Sequence, residues 1–319
     1  MTTTASARRT LAATLVAAAL TGLTAVAAVP ATAATPSAAT AWHASHHVAA
    51  GHGESARLAY QKSVAVAVLK GLFERGDTEV VDRYVLPNYI QHNPTLPDGT
   101  EAFKKLGIAI HQQFPDAKVN VKRVISEGDL VVVHSNVIAT PGTLGSAQFD
   151  IYRFQGGKIA EHWDSIQDVP ATTASGNDMF SMNSQPPTQQ LGPQSLTAYN
   201  KKLVTAFFDQ LMVREDLSAI DKYDSPNYIQ HNPITPDGPD GLKATLSPYF
   251  EAFPQSTALP KRIIAQGDLV AVHSNFITGP GDRGQSVVDL FRVQNGKIVE
   301  HWDVMQAVPA TSANDNTIF

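Results

Sequence analysis

Two strings in this chain return at one fixed offset. Tyr89-Ile90-Gln91-His92-Asn93-Pro94 comes back as Tyr228-Ile229-Gln230-His231-Asn232-Pro233, and Glu161-His162-Trp163-Asp164 as Glu300-His301-Trp302-Asp303, both 139 positions later (Tyr89 to Tyr228). The offset holds without a gap from Ala59/Ala198 to Phe180/Phe319. Whatever one copy folds into, the other must fold into as well, and each copy has the length of an ordinary small domain. The expected organisation is therefore two tandem domains, 57–180 and 197–319, joined by a linker over 181–196 that carries Pro186-Pro187 and Gly192-Pro193.

Composition narrows what such domains can be. At 319 residues and 43% hydrophobic content, each copy can bury a core of its own. The net charge of -5 comes with no Lys/Arg run, which argues against nucleic-acid binding. There is no cysteine, so disulfides, thiol catalysis and iron–sulfur clusters are excluded. Arg8-Arg9, the apolar stretch Leu11 to Val29 and Ala31-Thr32-Ala33 read as a signal peptide over 1–33 with an A-x-A cleavage site. A flexible leader rich in Ala, Ser, Thr, Pro and His is expected over 34–56. The mature chain is expected to be secreted or extracytoplasmic, with no membrane association after cleavage.

Within copy one, Leu58, Ala65, Val68, Leu69, Leu72 and Phe73 recur at helical spacing. A short helix through Val80, Val81 and Tyr84 is expected to stop before Pro87, with a short strand over Tyr89 to Gln91. Asp98 and Glu101 suggest a capping box for a helix carrying Phe103, Leu106, Ile110 and Phe114 on one face. Strands follow over Val119 to Ile125, Leu130 to Ala139, Gln148 to Phe154 and Lys158 to Gln167, and Gly156-Gly157 and Asn295-Gly296 supply hairpin turns. Helices first and a meander afterwards indicate an α+β domain, N-terminal helices packing on a curved, mainly antiparallel sheet.

Alternation along a strand puts His162 and Asp164 on one face, with Glu161 and Trp163 on the other. The first pair is the acid–base candidate, together with His301 and Asp303 in copy two. Glu161 is expected to meet Arg153, and Trp163 to pack in a domain interface. The same rule groups His134 and Asn136 on one strand and Asp150 and Tyr152 on the next, with His273, Asn275 and Asp289 as their repeats. If these faces converge, they line an apolar cavity with a few imidazoles and carboxylates. There a desolvated Asp becomes a usable base and a His can donate to a developing oxyanion. His92 and His231 stand either at the pocket mouth or as loop caps. Three His and an Asp per copy also raise a metal site, but no established metal-ligand spacing appears and none is expected.

Tyr89 to Pro94, Asp150-Ile151-Tyr152-Arg153, Gly157-Lys158-Ile159 and Glu161 to Asp164 through Gln167 together resemble the SnoaL-like branch of the NTF2-like superfamily. The likeness spans each repeat. It implies two cone-shaped α+β domains, and intramolecular aldol condensation of the kind polyketide cyclases perform, without metal or cofactor. By motif the acid–base residue of those cyclases maps onto Asp164 and Asp303. A His of their pocket falls on Asp150 and Asp289 here. Such domains often dimerise through their sheets, so an intrachain pseudo-dimer is expected. The function expected is acid–base chemistry, by aldol cyclisation or isomerisation, on a small apolar carbonyl compound. The alternative is a non-catalytic extracytoplasmic binding protein for a small molecule.

Overall fold

A computed structural model describes residues 53–319. The signal peptide expected over 1–33 and nearly all of the leader lie outside these residues. Repeat one runs α1 (Glu54–Arg75), α2 (Glu79–Tyr84), β1 (Val85–Gln91), α3 (Thr100–Gln113), β2 (Lys118–Glu127), β3 (Leu130–Ile138), β4 (Ser146–Gln155) and β5 (Lys158–Asp168). Repeat two runs α4 (Gln194–Phe208), a π-helical turn (Asp209–Val213), α5 (Ser218–Tyr223), β6 (Asp224–Gln230), α6 (Gly238–Ala252), β7 (Thr257–Gln266), β8 (Leu269–Ile277), β9 (Gln285–Gln294) and β10 (Lys297–Ala307). Among the described residues no helix is long and apolar enough to cross a membrane.

Each repeat builds one five-stranded sheet, ordered β1-β5-β4-β3-β2 and β6-β10-β9-β8-β7. All pairings are antiparallel except β1 with β5 and β6 with β10, which are parallel. The α+β architecture expected from the sequence is therefore the one observed, with open sheets. The β4–β5 and β9–β10 turns take the positive φ that their residues permit, 59° and 82° at Gly156-Gly157 and 50° and 73° at Asn295-Gly296. Two local expectations fail. Strand β1 starts at Val85 and runs through Pro87, which an edge strand tolerates because its outward N–H needs no partner. Asp98 does not cap α3, whose N-cap is Gly99 with no side-chain bond; its Oδ1 instead accepts the backbone N–H of Gln91 at 2.8 Å.

Both faces of each sheet are apolar, and each is covered differently. On the inner face, Val131, Val133, Tyr152 and Phe154 pack with Val64, Val68, Leu69 and Leu72 of α1; Val270, Val272, Phe291 and Val293 do the same with Val204, Phe207 and Phe208 of α4. On the outer face, Val132, Phe149, Ile151 and Trp163 join Leu269, Ala271, Val288, Leu290 and Trp302 in one core shared by the two sheets. Residues Leu58–Phe319 accordingly form a single compact unit.

The shared core is closed by reciprocal pairs. Arg123 lies over the Trp302 ring at 3.9 Å, and Arg262 over the Trp163 ring at 3.8 Å. Gln306 accepts from the Ile166 N–H at 2.8 Å, and Gln167 from the Met305 N–H at 3.0 Å. The segment expected as a linker is bound along its length: Arg292 donates to the carbonyls of Ser184, Pro186 and Thr188 at 2.7–2.9 Å, and α4 begins within it at Gln194.

Truncating a fully buried aromatic in a packed core typically costs about 3–5 kcal/mol. Trp302→Ala should cost about that much in urea unfolding, whereas Leu144→Ala, at an exposed position, should stay within about 0.5 kcal/mol.

Candidate functional site

The inner face of each sheet carries a polar cluster inside an otherwise apolar layer. Asp150 and Asp164 are direct cross-strand partners on β4 and β5, as are Tyr152 and His162, so all four side chains share that face. All four are buried. The Tyr152 ring stacks on the His162 ring at 4.8 Å between centroids.

Hydrogen bonding fixes which nitrogen of His162 carries a proton. The backbone N–H of Asn93 points at Gln91 Oε1 (2.9 Å), so that atom is the amide oxygen. His162 Nδ1 faces the same oxygen at 3.0 Å and must donate to it. Gln91 Nε2 in turn donates to the Tyr89 hydroxyl at 3.0 Å. The other ring nitrogen, Nε2, lies 3.0 Å from Asp150 Oδ1, and Asn93 Nδ2 donates to Asp164 Oδ2 at 2.8 Å. One oxygen of each acid, Asp150 Oδ2 and Asp164 Oδ1, is buried with no hydrogen-bond partner among the described residues.

Repeat two reproduces this network. His301 Nδ1 lies 2.8 Å from Gln230 Oε1 and Nε2 lies 3.0 Å from Asp289 Oδ1, while Asn232 Nδ2 donates to Asp303 Oδ2 at 2.6 Å. Asp289 Oδ2 and Asp303 Oδ1 again have no hydrogen-bond partner among the described residues.

Burial and like charge tune the acids. Desolvation, reinforced by the second carboxylate, pushes Asp164 up against the opposing pull of His162 and Asn93; the same causes bring Asp303 to about 6. For His162 and His301, burial pulls down, but the bonds to Asp150 and Asp289 and the neighbouring carboxylates win, so both are raised. An imidazolium between two carboxyl groups is the form this geometry favours.

The remaining candidates lie elsewhere. His134 pairs across β3–β4 with Phe149, and Asn136 with Ala147, which places both on the outer face. His134 stacks on Phe149 and accepts from Arg123 Nη1 at 3.0 Å. Burial and the Arg123 charge hold it well below the usual imidazole range. His273 likewise accepts from Arg262 at 2.7 Å, and burial with that arginine takes it to about 3. Asn136 and Asn275 donate to the carbonyls of Leu144 and Arg283, tying down hairpin loops. His92 stacks on Trp163 and bonds Glu161 at 2.8 Å, and His231 does the same with Trp302 and Glu300.

The cavity expected from convergence of all these faces is thus not formed, because adjacent-strand register puts Val133, not His134, beside Asp150. Glu161 meets Arg153 at 2.7 Å. In each repeat one donor atom of Asp150, His162 and Asp164, or of Asp289, His301 and Asp303, lies within 4.8 Å of the others. These triads could hold a cation, although both nitrogens of each His are already engaged. The three repeated His of each copy, His92, His134 and His162 or His231, His273 and His301, are not brought together.

Sequence reasoning passed over Gln91/Gln230 and Asn93/Asn232, which orient the acid–base groups. Their signal was present in the string Tyr89-Ile90-Gln91-His92-Asn93, since alternation groups Tyr, Gln and Asn on one side and His on the other.

Each of these loops is held by the other repeat. Asn316 Nδ2 donates to the Gln91 carbonyl (2.9 Å) and to Asp98 (2.8 Å), Asn314 Nδ2 to the Asn93 and Leu96 carbonyls (2.9 and 2.7 Å), and the Thr317 carbonyl meets His92 Nδ1. In return, Asn177 Nδ2 donates to the Gln230 carbonyl (3.0 Å) and to Asp237 (2.9 Å), and the Asp178 carbonyl meets His231 Nδ1.

At about 1 kcal/mol net per hydrogen bond, the combined Asn314→Ala and Asn316→Ala change should speed hydrogen exchange at Gln91 and Thr95 by about ten-fold or more. Exchange at Gln230 and Ile234, held by the other tail, should be unaltered.

Residues 63–174 match the family model of the SnoaL-like polyketide cyclases, and residues 204–301 match that of the SnoaL-like domain. No curated protein matches the chain. Among solved structures, TsrD from Streptomyces laurentii is 19% identical over 34% of this chain and 89% of its own, with a TM-score of 0.30. IdmH from Streptomyces antibioticus is 22% identical over 34% and 92%, TM-score 0.28. A SnoaL-like polyketide cyclase candidate from Jannaschia sp. CCS1 is 17% identical over 37% and 92%, TM-score 0.31. With both repeats matched by its models, the chain belongs to the SnoaL-like family of the NTF2-like superfamily, as two domains in tandem.

Proposed function

We propose that each repeat binds a small apolar carbonyl compound against its inner face and moves a proton on it, in an aldol-type ring closure or an isomerisation. The reading is carried by the doubled arrangement of two buried carboxyl groups around one imidazole, each acid keeping an oxygen with no hydrogen-bond partner among the described residues. Asp164, or Asp303 in repeat two, is the base that takes the proton from the carbon beside the carbonyl. The electron pair left on carbon moves into the carbonyl, and the resulting enolate oxygen needs a donor. His162 Nε2–H, which otherwise points at Asp150, is the group placed to supply it. In a ring closure the enolate carbon attacks a second carbonyl and the alkoxide recovers the proton from Asp164; in an isomerisation the proton returns to a different carbon. No net acid or base is consumed.

The free oxygens of Asp164 and Asp303 are closed off from solvent, so a ligand reaches them when the helical layer gives way. Exclusion of water strengthens the electrostatics of the site and protects an enolate from stray protonation. Asp150, Tyr152 and Asn93 in repeat one, and Asp289 and Asn232 in repeat two, would orient the ligand and the acids. Export is part of the reading, supported by the signal-like stretch over 1–33.

The test is deuterium uptake from heavy water at the carbon between the carbonyls of a 2-substituted 1,3-diketone probe. Asp164→Asn combined with Asp303→Asn should slow enzymatic exchange about a hundred-fold or more. With Asp164→Asn alone, the remaining rate belongs to repeat two. It should rise with pH as Asp303 loses its proton at about 6 and fall again where His301 loses its own above the ordinary 6.5. Undiminished exchange in the double variant would sink the catalytic reading; retained probe affinity without any exchange would favour a binding protein.

A further inference from the structure

The two repeats part company at the first residue of the parallel edge strand. Repeat one has Val85, packed in its helix-side core; repeat two has Asp224, opposite Ile298 on β10. Asp224 is 3% exposed, and Tyr228 and Gln230 of its own strand are buried with it. Neither of its carboxyl oxygens has a hydrogen-bond partner among the described residues. His301, Lys297 and Asp221 are near enough for their charges to act on it, and its charge acts in turn on Tyr228 and His301. Burial is the dominant influence and raises it to about 8, a neutral acid at pH 7.

A second exchange accompanies the first. Tyr152, stacked on His162, is replaced by Phe291, stacked on His301. Repeat two has lost a hydroxyl on one side of β10 and acquired a carboxyl on the other, since β10 lies between β6 and β9. A buried carboxyl that forms no bond costs stability and contributes none. Val85 shows that the same strand forms with an apolar residue in that place. Folding therefore does not explain Asp224, and an unpartnered buried polar group calls for another cause.

We propose that Asp224 is a ligand-binding residue of repeat two alone, receiving a hydroxyl at the far end of a carbonyl compound, so that the two repeats take different members of one compound class. This rests on the reading of a carbonyl ligand beside Asp303. A carboxylic acid offers one donor and one acceptor oxygen on adjacent atoms, and a hydroxyl can answer either. Val85 offers nothing to such a group, and leaving a ligand hydroxyl unpaired in an apolar site is penalised.

Acetophenone and 4-hydroxyacetophenone differ only in that hydroxyl and serve as probes for the full chain. Binding is followed by NMR at the His301 ring for repeat two and at the His162 ring for repeat one. At repeat two the hydroxylated probe should bind about ten-fold tighter, and at repeat one the two should agree within about two-fold. Asp224→Val should abolish the preference at repeat two and raise the unfolding temperature, because it removes an unpaired buried acid. The proposal is overturned if the preference is equal in both repeats, survives in Asp224→Val, or is absent because neither probe reaches repeat two. A lowered unfolding temperature would also overturn it, by giving Asp224 a structural role. Failure of proton transfer with the binding preference intact would remove the catalytic reading and leave this one standing.

Discussion

A sheet that is apolar on both faces cannot stand in water with one of them bare. Helices cover the inner face of each repeat, and the outer face, with Val132, Phe149, Ile151 and Trp163, is covered by its counterpart from the other repeat. This constraint accounts for the duplication better than any feature of the site, because it makes one repeat the missing layer of the other. The reciprocal arginine–tryptophan contacts and the crossed glutamines lock the two sheets in register. Once they are locked, each C-terminal segment lies beside the opposite repeat and its asparagines reach the loop that orders the site there.

The site follows from what such packing does to charge. Asp150 and Asp164 sit on neighbouring strands of one buried face, where two ionised carboxylates without water repel each other and lack hydration. His162 between them relieves part of that cost. Gln91, whose amide is oriented by the Asn93 N–H, turns the imidazole so that its second nitrogen faces Asp150. The result is that Asp164 and His162 both hold their protons more tightly than the free groups do, the acid because of burial and the imidazole because of its carboxylate partners, and such perturbed pairs suit general acid–base chemistry.

Much of this was legible in the sequence, and what was not failed for a definable reason. Alternation within one strand correctly separated His162 and Asp164 from Glu161 and Trp163. The Gly156-Gly157 turn alone would set Asp150 opposite Trp163; a register shift between Arg153 and Phe154, which no residue type announces, is what brings Asp150 and Tyr152 onto the face of Asp164 and His162. The β3–β4 connection is longer and sets no parity by its residue types. His134 and Asn136 were accordingly grouped with the wrong face, where they serve the inter-repeat core. His92 drew attention as an imidazole although the alternation of its own string assigned the inward positions to Gln91 and Asn93. The roles of Asp98 as a loop tie and of 181–196 as a bound strap depend on contacts with the other repeat or with Arg292, and no local pattern encodes those. Asp224 was not singled out by the sequence repeat; its burial without a hydrogen-bond partner among the described residues, where repeat one has Val85, is what marks it.

The central claim is that each repeat holds a carboxyl group that keeps its proton above the ordinary carboxylate range because of where the fold has placed it. Carbon-13 NMR of the aspartate side-chain carboxyls, with Asp164 and Asp303 assigned by loss of signal in their Asn variants, measures this directly across a pH titration. The account predicts that both titrate above the ordinary value of 3.8, with Asp303 at about 6. Ionisation of both at or below 3.8 would contradict it.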